Sequence, residues 1–192
     1  MARPTAPRGQ GRARVINAAL ELFAEHGVRG TSLQMIGDHL GVTKAAVYFQ
    51  FKTKDEIVLA VLGPAFDTMR SIVDAAESAP TPAEAADVAL LRVVDLMIEH
   101  RQVYATLYRD PEVERIVQAH AEFQSLTHQL SEFLVGPNPD ARRRVAASVL
   151  GAGLAHVGLD PQLADVDDAA LREALVDLGR TLFSSAEAAP VS

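Results

Sequence analysis

Apolar residues recur along this chain at intervals of three and four, the spacing that lines one face of an α-helix, and nowhere do they alternate with polar residues as along a half-buried strand. In the first such run Ile16, Ala19, Leu20 and Phe23 share a face, and Gly27 is placed to stop the helix as a left-handed C-cap. Leu33, Ile36, Leu40, Val42 and Val47 then belong to two short helices that face one another across Gly41. The last helix opens near Asp167 and carries Leu171, Leu175, Leu178 and Leu182 at 4-3-4 spacing, a seam for packing along its whole length. Start signals punctuate the pattern. Thr31–Gln34, Thr53–Glu56 and Thr81–Glu84 read as capping boxes, the last with Pro82 at N1, and Asp110-Pro111 and Asn138-Pro139 each place a polar N-cap before proline. The reading is an all-α fold of about nine helices, three of them small and N-terminal.

The pair joined through Gly41 has the form of a helix-turn-helix, in which the inward residues pack the helices and the glycine supplies the backbone freedom of the turn. Gly37 falls where the two helices approach most closely, so a small residue is required there. In such a motif the second helix lies in the major groove of duplex DNA and presents its N-terminal residues to base edges. Here it runs from the N-cap Thr43 through Lys44, Ala45, Ala46, Val47, Tyr48, Phe49 and Gln50, with Val47 inward. Ala45 and Ala46 permit close approach and carry methyls suited to a thymine methyl, while Lys44 can reach a guanine edge or a phosphate. Thr43 and Tyr48 have hydroxyls suited to phosphate oxygens, and Lys54 adds a cation in the first turn of the following helix. Read alone, Tyr48 could equally be half-buried with its hydroxyl in water, and Phe49 could turn into the core.

Charge sharpens this picture. The chain has a formal net charge of −7, yet residues 1–55 hold eight Lys and Arg against Glu21, Glu25, Asp38 and Asp55, a net of +4 that leaves −11 for the remainder. All three lysines, Lys44, Lys52 and Lys54, fall within eleven residues around the motif, the arrangement expected where phosphates are the partner. Composition excludes much else. With 192 residues, 48% of them hydrophobic, the chain can bury a proper core. It has no cysteine, so neither a disulfide framework nor a thiolate metal site can form, and its six histidines show no metal-ligand spacing. No metal and no cofactor is expected. No apolar run reaches the roughly 18 residues of a membrane span, and the arginine-bearing start lacks the apolar stretch of a signal peptide, so a soluble cytoplasmic protein without membrane contact is expected.

The run LQMIGDHLGVTKAAVYFQFKTKDEI, preceded by a helix ending FAEHGVRGTS, resembles over about residues 12–60 the DNA-binding domain of the tetracycline-repressor (TetR) family of bacterial transcriptional regulators. The family's pattern is met by Phe23, the loop Gly27–Gly30, Thr31, Ile36, Gly41-Val42-Thr43, Tyr48, Phe51 and Lys54. The resemblance implies a two-fold homodimer on a palindromic operator and a C-terminal domain that binds a small-molecule effector and releases the DNA. It also implies that Thr31, Thr43, Lys44, Ala45, Tyr48, Phe49 and Lys54 face the DNA, to which the chemistry of the residues themselves adds Ala46 and Lys52. Two departures stand out. Gly37 replaces the more usual Ala, at up to about 1 kcal/mol of helix propensity, and Phe49 replaces a residue able to bond a phosphate. The expected organisation is a flexible basic arm over residues 1–11, a DNA-binding domain over 12–57, a ligand-binding and dimerisation domain over 58–186, and a frayed tail over 187–192.

In the body, a helix from Ala141 to about Gly158 carries Val145, Val149, Ala152 and His156 on one face, with Gly153 among its small residues. With Leu171, Leu175, Leu178 and Leu182 it can form a dimeric four-helix interface or close the monomer core. Phe66, Met69, Met97, His100, Tyr104, Tyr108 and Phe123 are candidates to line a mostly apolar effector pocket. The Arg142-Arg143-Arg144 run reads as a solvated helix face. Gly63-Pro64 interrupts the helix that opens at Thr53 and suggests a kink, either a hinge or static. The competing reading is an all-α ligand carrier or enzyme with a basic surface patch, but no nucleophile–base pair, phosphate-binding loop or paired-carboxylate pattern supports catalysis.

Overall fold

A computed structural model of the chain describes residues 10–101, 107, 110–157 and 160–187. Nine α-helices are delimited among the described residues, and no strand: α1 Gln10–Gly30, α2 Leu33–Leu40, α3 Lys44–Gln50, α4 Lys54–Glu77, α5 Pro82–Glu99, α6 Pro111–Gln118, α7 Ala121–Val135, α8 Ala141–Val157 and α9 Asp168–Glu187, with a 3-10 turn at Pro161–Leu163. The all-α reading holds. The chain divides into two compact units that are discontinuous in sequence, one of Met1–Pro64 with Thr106–His120, the other of Ala65–Ala105 with Ala121–Ser192. Helix α6 therefore groups with the N-terminal helices although it lies well beyond residue 57.

Local chemistry sets most of the helix starts. The Thr53 hydroxyl accepts from the Glu56 amide at 3.1 Å, and Glu56 reaches back to the amide of Lys52 at 2.8 Å. Thr81 accepts from the Glu84 amide at 3.2 Å, with Pro82 in the first turn, and Asp110 accepts from the Glu112 amide at 2.9 Å. Two expected caps move. Helix α2 is capped by Ser32, which accepts from the Met35 amide at 3.2 Å, because the neighbouring Thr31 hydroxyl is committed elsewhere. Helix α8 opens behind Asp140, which accepts from the Arg143 amide at 2.8 Å, while Asn138 takes a left-handed φ of 52° instead of capping.

In the first unit α1 buries Val15, Ala18, Ala19, Leu22 and Phe23, a stripe one residue earlier than expected that leaves Ile16 and Leu20 half-buried. Ile36, Val47, Phe51, Ile57 and Val58 are fully buried beside it. Helix α1 breaks at Gly27, whose φ of 71° and ψ of 164° lie in a region open to glycine almost alone, and a last turn then runs to Gly30. Helix α2 ends in a Schellman arrangement: Gly41 is left-handed at φ 66°, its amide donates to Asp38 O at 3.1 Å, and the Val42 amide donates to Gly37 O at 2.8 Å. A Cβ on Gly37 would stand 3.0 Å from Val42 O and 3.3 Å from Lys44 N, so the absent side chain is what lets the turn fold back on α2. Val42 itself emerges on the exposed side instead of packing between the helices.

In the second unit α5 packs on α7 and α9, and α9 packs on α8. Leu90 and Val94 of α5, Leu150 and Leu154 of α8, and Leu171, Leu175 and Val176 of α9 make its main core. Gly179 allows α9 to lie close to α5, since a Cβ there would sit 2.6 Å from a Leu90 methyl. The leucine seam of α9 is thus divided. Leu171 and Leu175 are buried within the chain's own core and Leu182 packs against it, which removes Leu171 and Leu175 from any dimer surface. Leu178, Val149, Ala152, Gly153 and His156 remain exposed, joined by Val145. Helix α4 runs on through Pro64 to Glu77, and the boundary between the units falls at that proline. No helix among the described residues is long and apolar enough to cross a membrane.

Candidate nucleic-acid interface

Helix α3 is short and is held from behind. Val47 and Phe51 are fully buried, and the Arg12 guanidinium lies 4.0 Å over the Phe51 ring while its Nη1 donates to Gln50 O at 3.2 Å, closing the C-terminal end of α3. At the other end the Thr43 Oγ1 accepts from the Ala46 amide at 3.2 Å. Because that hydroxyl is used only as an acceptor, its proton stays available to an external oxygen.

The opposite face is open. Thr43, Lys44, Ala45, Ala46, Tyr48, Phe49 and Lys52 are all exposed, Tyr48 to 50% and Phe49 to 79%. Neither aromatic ring turns into the core. The Lys52 ammonium lies 4.5 Å from the centre of the Tyr48 ring and 6.0 Å from that of Phe49, so it fixes the two rings side by side without neutralising its own charge. The nearby acidic side chains are occupied elsewhere: Asp38 accepts from Gln34 at 2.7 Å, Glu21 meets His39 at 2.9 Å, and Glu56 is bound to the Lys52 amide.

Two expected DNA contacts are placed otherwise. Thr31 is buried, and its hydroxyl donates to Gly27 O at 2.8 Å and Leu22 O at 3.2 Å, tying the broken end of α1 together. With its proton spent on carbonyls it has none for a phosphate. The Lys54 ammonium is turned inward to the carbonyls of Val28, Thr31 and Arg29 at 2.5, 3.1 and 3.4 Å, where a cation meets the negative end of the last α1 turn. The same turn is gripped at its other end by Asp110, whose Oδ2 accepts from the amides of Val28 at 2.5 Å and Arg29 at 3.4 Å. A carboxylate on the amides and an ammonium on the carbonyls thus hold one helical turn from both ends. Arg115 of α6 extends the grip by pairing with Asp55 at 3.0 Å and Glu112 at 2.8 Å. Its hydrogen bond holds the Glu112 carboxyl below the ordinary carboxylate value, and the bonds to Glu112 and then Asp55 raise the guanidinium in turn. Sequence reasoning missed Arg12, Asp110 and Arg115 as parts of this support.

An open cleft of about 430 Å³ lies beside the Asp110 contact, walled by Phe23, His26, Gly27, Arg29, Pro111 and Glu112 among others. None of the effector candidates among the described residues lines it. Phe66 and Met69 are buried on α4, and Phe66 meets Phe123 of α7 at 6.0 Å between ring centres. Met97 packs against the α5–α9 core and His100 closes α5. Tyr104 and Tyr108 lie outside the described residues. Among the described residues no group of three His, Asp or Glu side chains could hold a metal ion.

Residues 15–61 match the family model described as "Bacterial regulatory proteins, tetR family". The chain is 46% identical over 63 residues to the HTH-type transcriptional regulator SrpR of Pseudomonas putida, a match that spans 32% of this chain and 30% of SrpR, less than a third of that relative's length. It is 27% identical over 160 residues to the HTH-type transcriptional repressor KstR2 of Mycobacterium tuberculosis, covering 81% of this chain and 72% of the repressor. Among solved structures, the transcriptional regulator FadR of Bacillus subtilis in complex with stearoyl-CoA superposes over 93% of this chain and 99% of its own, with a TM-score of 0.62 at 15% identity. Residues 15–61 are thus similar to the tetR-family model, and the all-α fold is shared with the FadR structure.

Proposed function

We propose that this chain, bearing a tetR-family domain, is a homodimeric, sequence-specific transcriptional repressor of the bacterial cytoplasm, released from a palindromic operator by a small hydrophobic effector. The observation that carries the reading is the outer face of α3, where Thr43, Lys44, Tyr48 and Lys52 stand exposed around small residues on a helix locked from behind. Hydroxyls and ammoniums in that setting suit phosphate oxygens, and the small residues let the helix approach base edges. KstR2, a repressor by name, supports the direction of regulation, and FadR, seen with stearoyl-CoA, supports an apolar effector. Phe66, Met69 and Phe123 are where such a molecule would lodge. Dimerisation through Val145, Val149, Ala152, Gly153 and Leu178 would cover apolar groups that the single chain leaves in water, and two half-sites about 34–36 Å apart would match one DNA turn.

The test is selection from random duplex DNA by the purified protein beside Lys44→Ala/Tyr48→Ala at fixed salt, followed by sedimentation of the bound complex. Enrichment of one palindrome by the unmutated protein alone, bound as a dimer, is the expected result. Enrichment of no sequence by either protein would remove the reading. Displacement of the selected operator by long-chain acyl-CoA or free fatty acid then checks the effector class.

A further inference from the structure

The outer face of α3 holds more than hydroxyls and cations. Ala45 and Ala46 lie one helical turn before Phe49, at i−4 and i−3, so the three side chains are neighbours on one exposed surface, and Val42, exposed just ahead of the cap, continues it. An apolar patch with a 79% exposed phenyl ring at its centre is the reverse of ordinary helix patterning, in which this face would be the polar one. Lys44 and Lys52 border the patch. Lys52 lies against the rings of Tyr48 and Phe49, and neither ammonium forms an ion pair among the described residues.

The surface a patch of this kind fits must offer negative charge at its edges and an apolar group at its centre. The DNA major groove does so: phosphates line its rims, and the one apolar group that base pairs display there is the C5-methyl of thymine. A phenyl ring has no hydrogen-bonding group with which to read any other base edge. We infer that Val42, Ala45, Ala46 and Phe49 form a thymine-methyl reader, with Phe49 as its specificity-determining side chain and Lys52 as the positioning residue that holds the ring in place. The operator half-site is therefore recognised in part through thymine methyls, and not by polar base contacts alone. This inference rests on the DNA-binding reading above.

The test starts from the operator found by selection and replaces each thymine singly by deoxyuridine, which keeps every hydrogen bond and removes only the methyl. Affinities are measured by fluorescence anisotropy at fixed salt for the unmutated protein and for Phe49→Ala, whose fold is checked by circular dichroism. One or more uridine positions per half-site should weaken binding about fourfold each, equivalent to the roughly 0.8 kcal/mol of one buried methyl-sized group, and Phe49→Ala should no longer feel the substitution at one of them. Converting the matching position to 5-methylcytosine, paired with guanine, should restore part of the loss that unmethylated cytosine causes there. Equal affinity for thymine and uridine operators at every position would overturn the methyl reader while leaving sequence-specific DNA binding in place. Failure to enrich any sequence would remove both readings together.

Discussion

One residue separates Phe49 from Phe51, and one separates Lys52 from Lys54, yet in each pair the first side chain faces water and the second is spent on the protein. Phe51 is fully buried beneath Arg12, whereas Phe49 is almost wholly exposed. Lys54 closes three carbonyls at the end of α1, whereas the Lys52 ammonium lies against two aromatic rings. The seam behind α3 and the surface in front of it are thus built from the same residue types. What differs is whether backbone groups lie within reach: where helix ends converge, an ammonium or hydroxyl is consumed as a cap, and where none do, it stays available to a partner. Residue type at a family position therefore does not by itself give the role.

The contrast can be broken in measurable ways. The largest effect should come from Phe51→Ala, which empties a fully buried ring site and should cost about 3–5 kcal/mol in urea unfolding, while Phe49→Ala should stay within about 0.5 kcal/mol of the parent. Asp110→Ala strips an acceptor from the amides of Val28, Arg29 and Glu112 and should cost about 1–2 kcal/mol, at the upper range for a cap; faster hydrogen exchange at Val28 and Arg29 would locate the loss. Lys54→Met should cost about 1 kcal/mol, because water can re-solvate part of the three freed carbonyls. Lys52→Met should leave stability unchanged but lower operator affinity and reduce its salt slope by about one. The smallest effect concerns Glu112. Its carboxyl is held below the ordinary value of 4.5 by Arg115, so its contribution is present at neutral pH and fades as pH falls through the depressed value. An NMR titration should show Glu112 titrating below 4.5, and Arg115→Ala should return it to the ordinary range.

What the sequence disclosed was whatever depends on near neighbours. The capping residues Thr53 and Thr81, the turn at Gly41 and the inward Val47 follow from spacing alone, and the structure has them as read. Thr31 and Ser32 are adjacent hydroxyls, and only the return of α1, which brings the carbonyls of Leu22 and Gly27 to Thr31, decides which one caps α2. Asp110 meets Val28 across 82 positions, a separation that no local pattern carries. Likewise the 4-3-4 leucines of α9 announce a packing seam without saying against what, so Leu171 and Leu175 read as part of a dimer surface, whereas they lie in the chain's own core.

The grouping of α6 with the N-terminal helices bears on modular engineering. A chimera that joined this N-terminal segment to a foreign sensor by a single crossover near residue 64 would leave Asp110 and Arg115 behind, stripping the last turn of α1 of its carboxylate and α4 of the Asp55 partner. A transplant that keeps the reading head intact needs a second graft, from 110 to 118, carried with it.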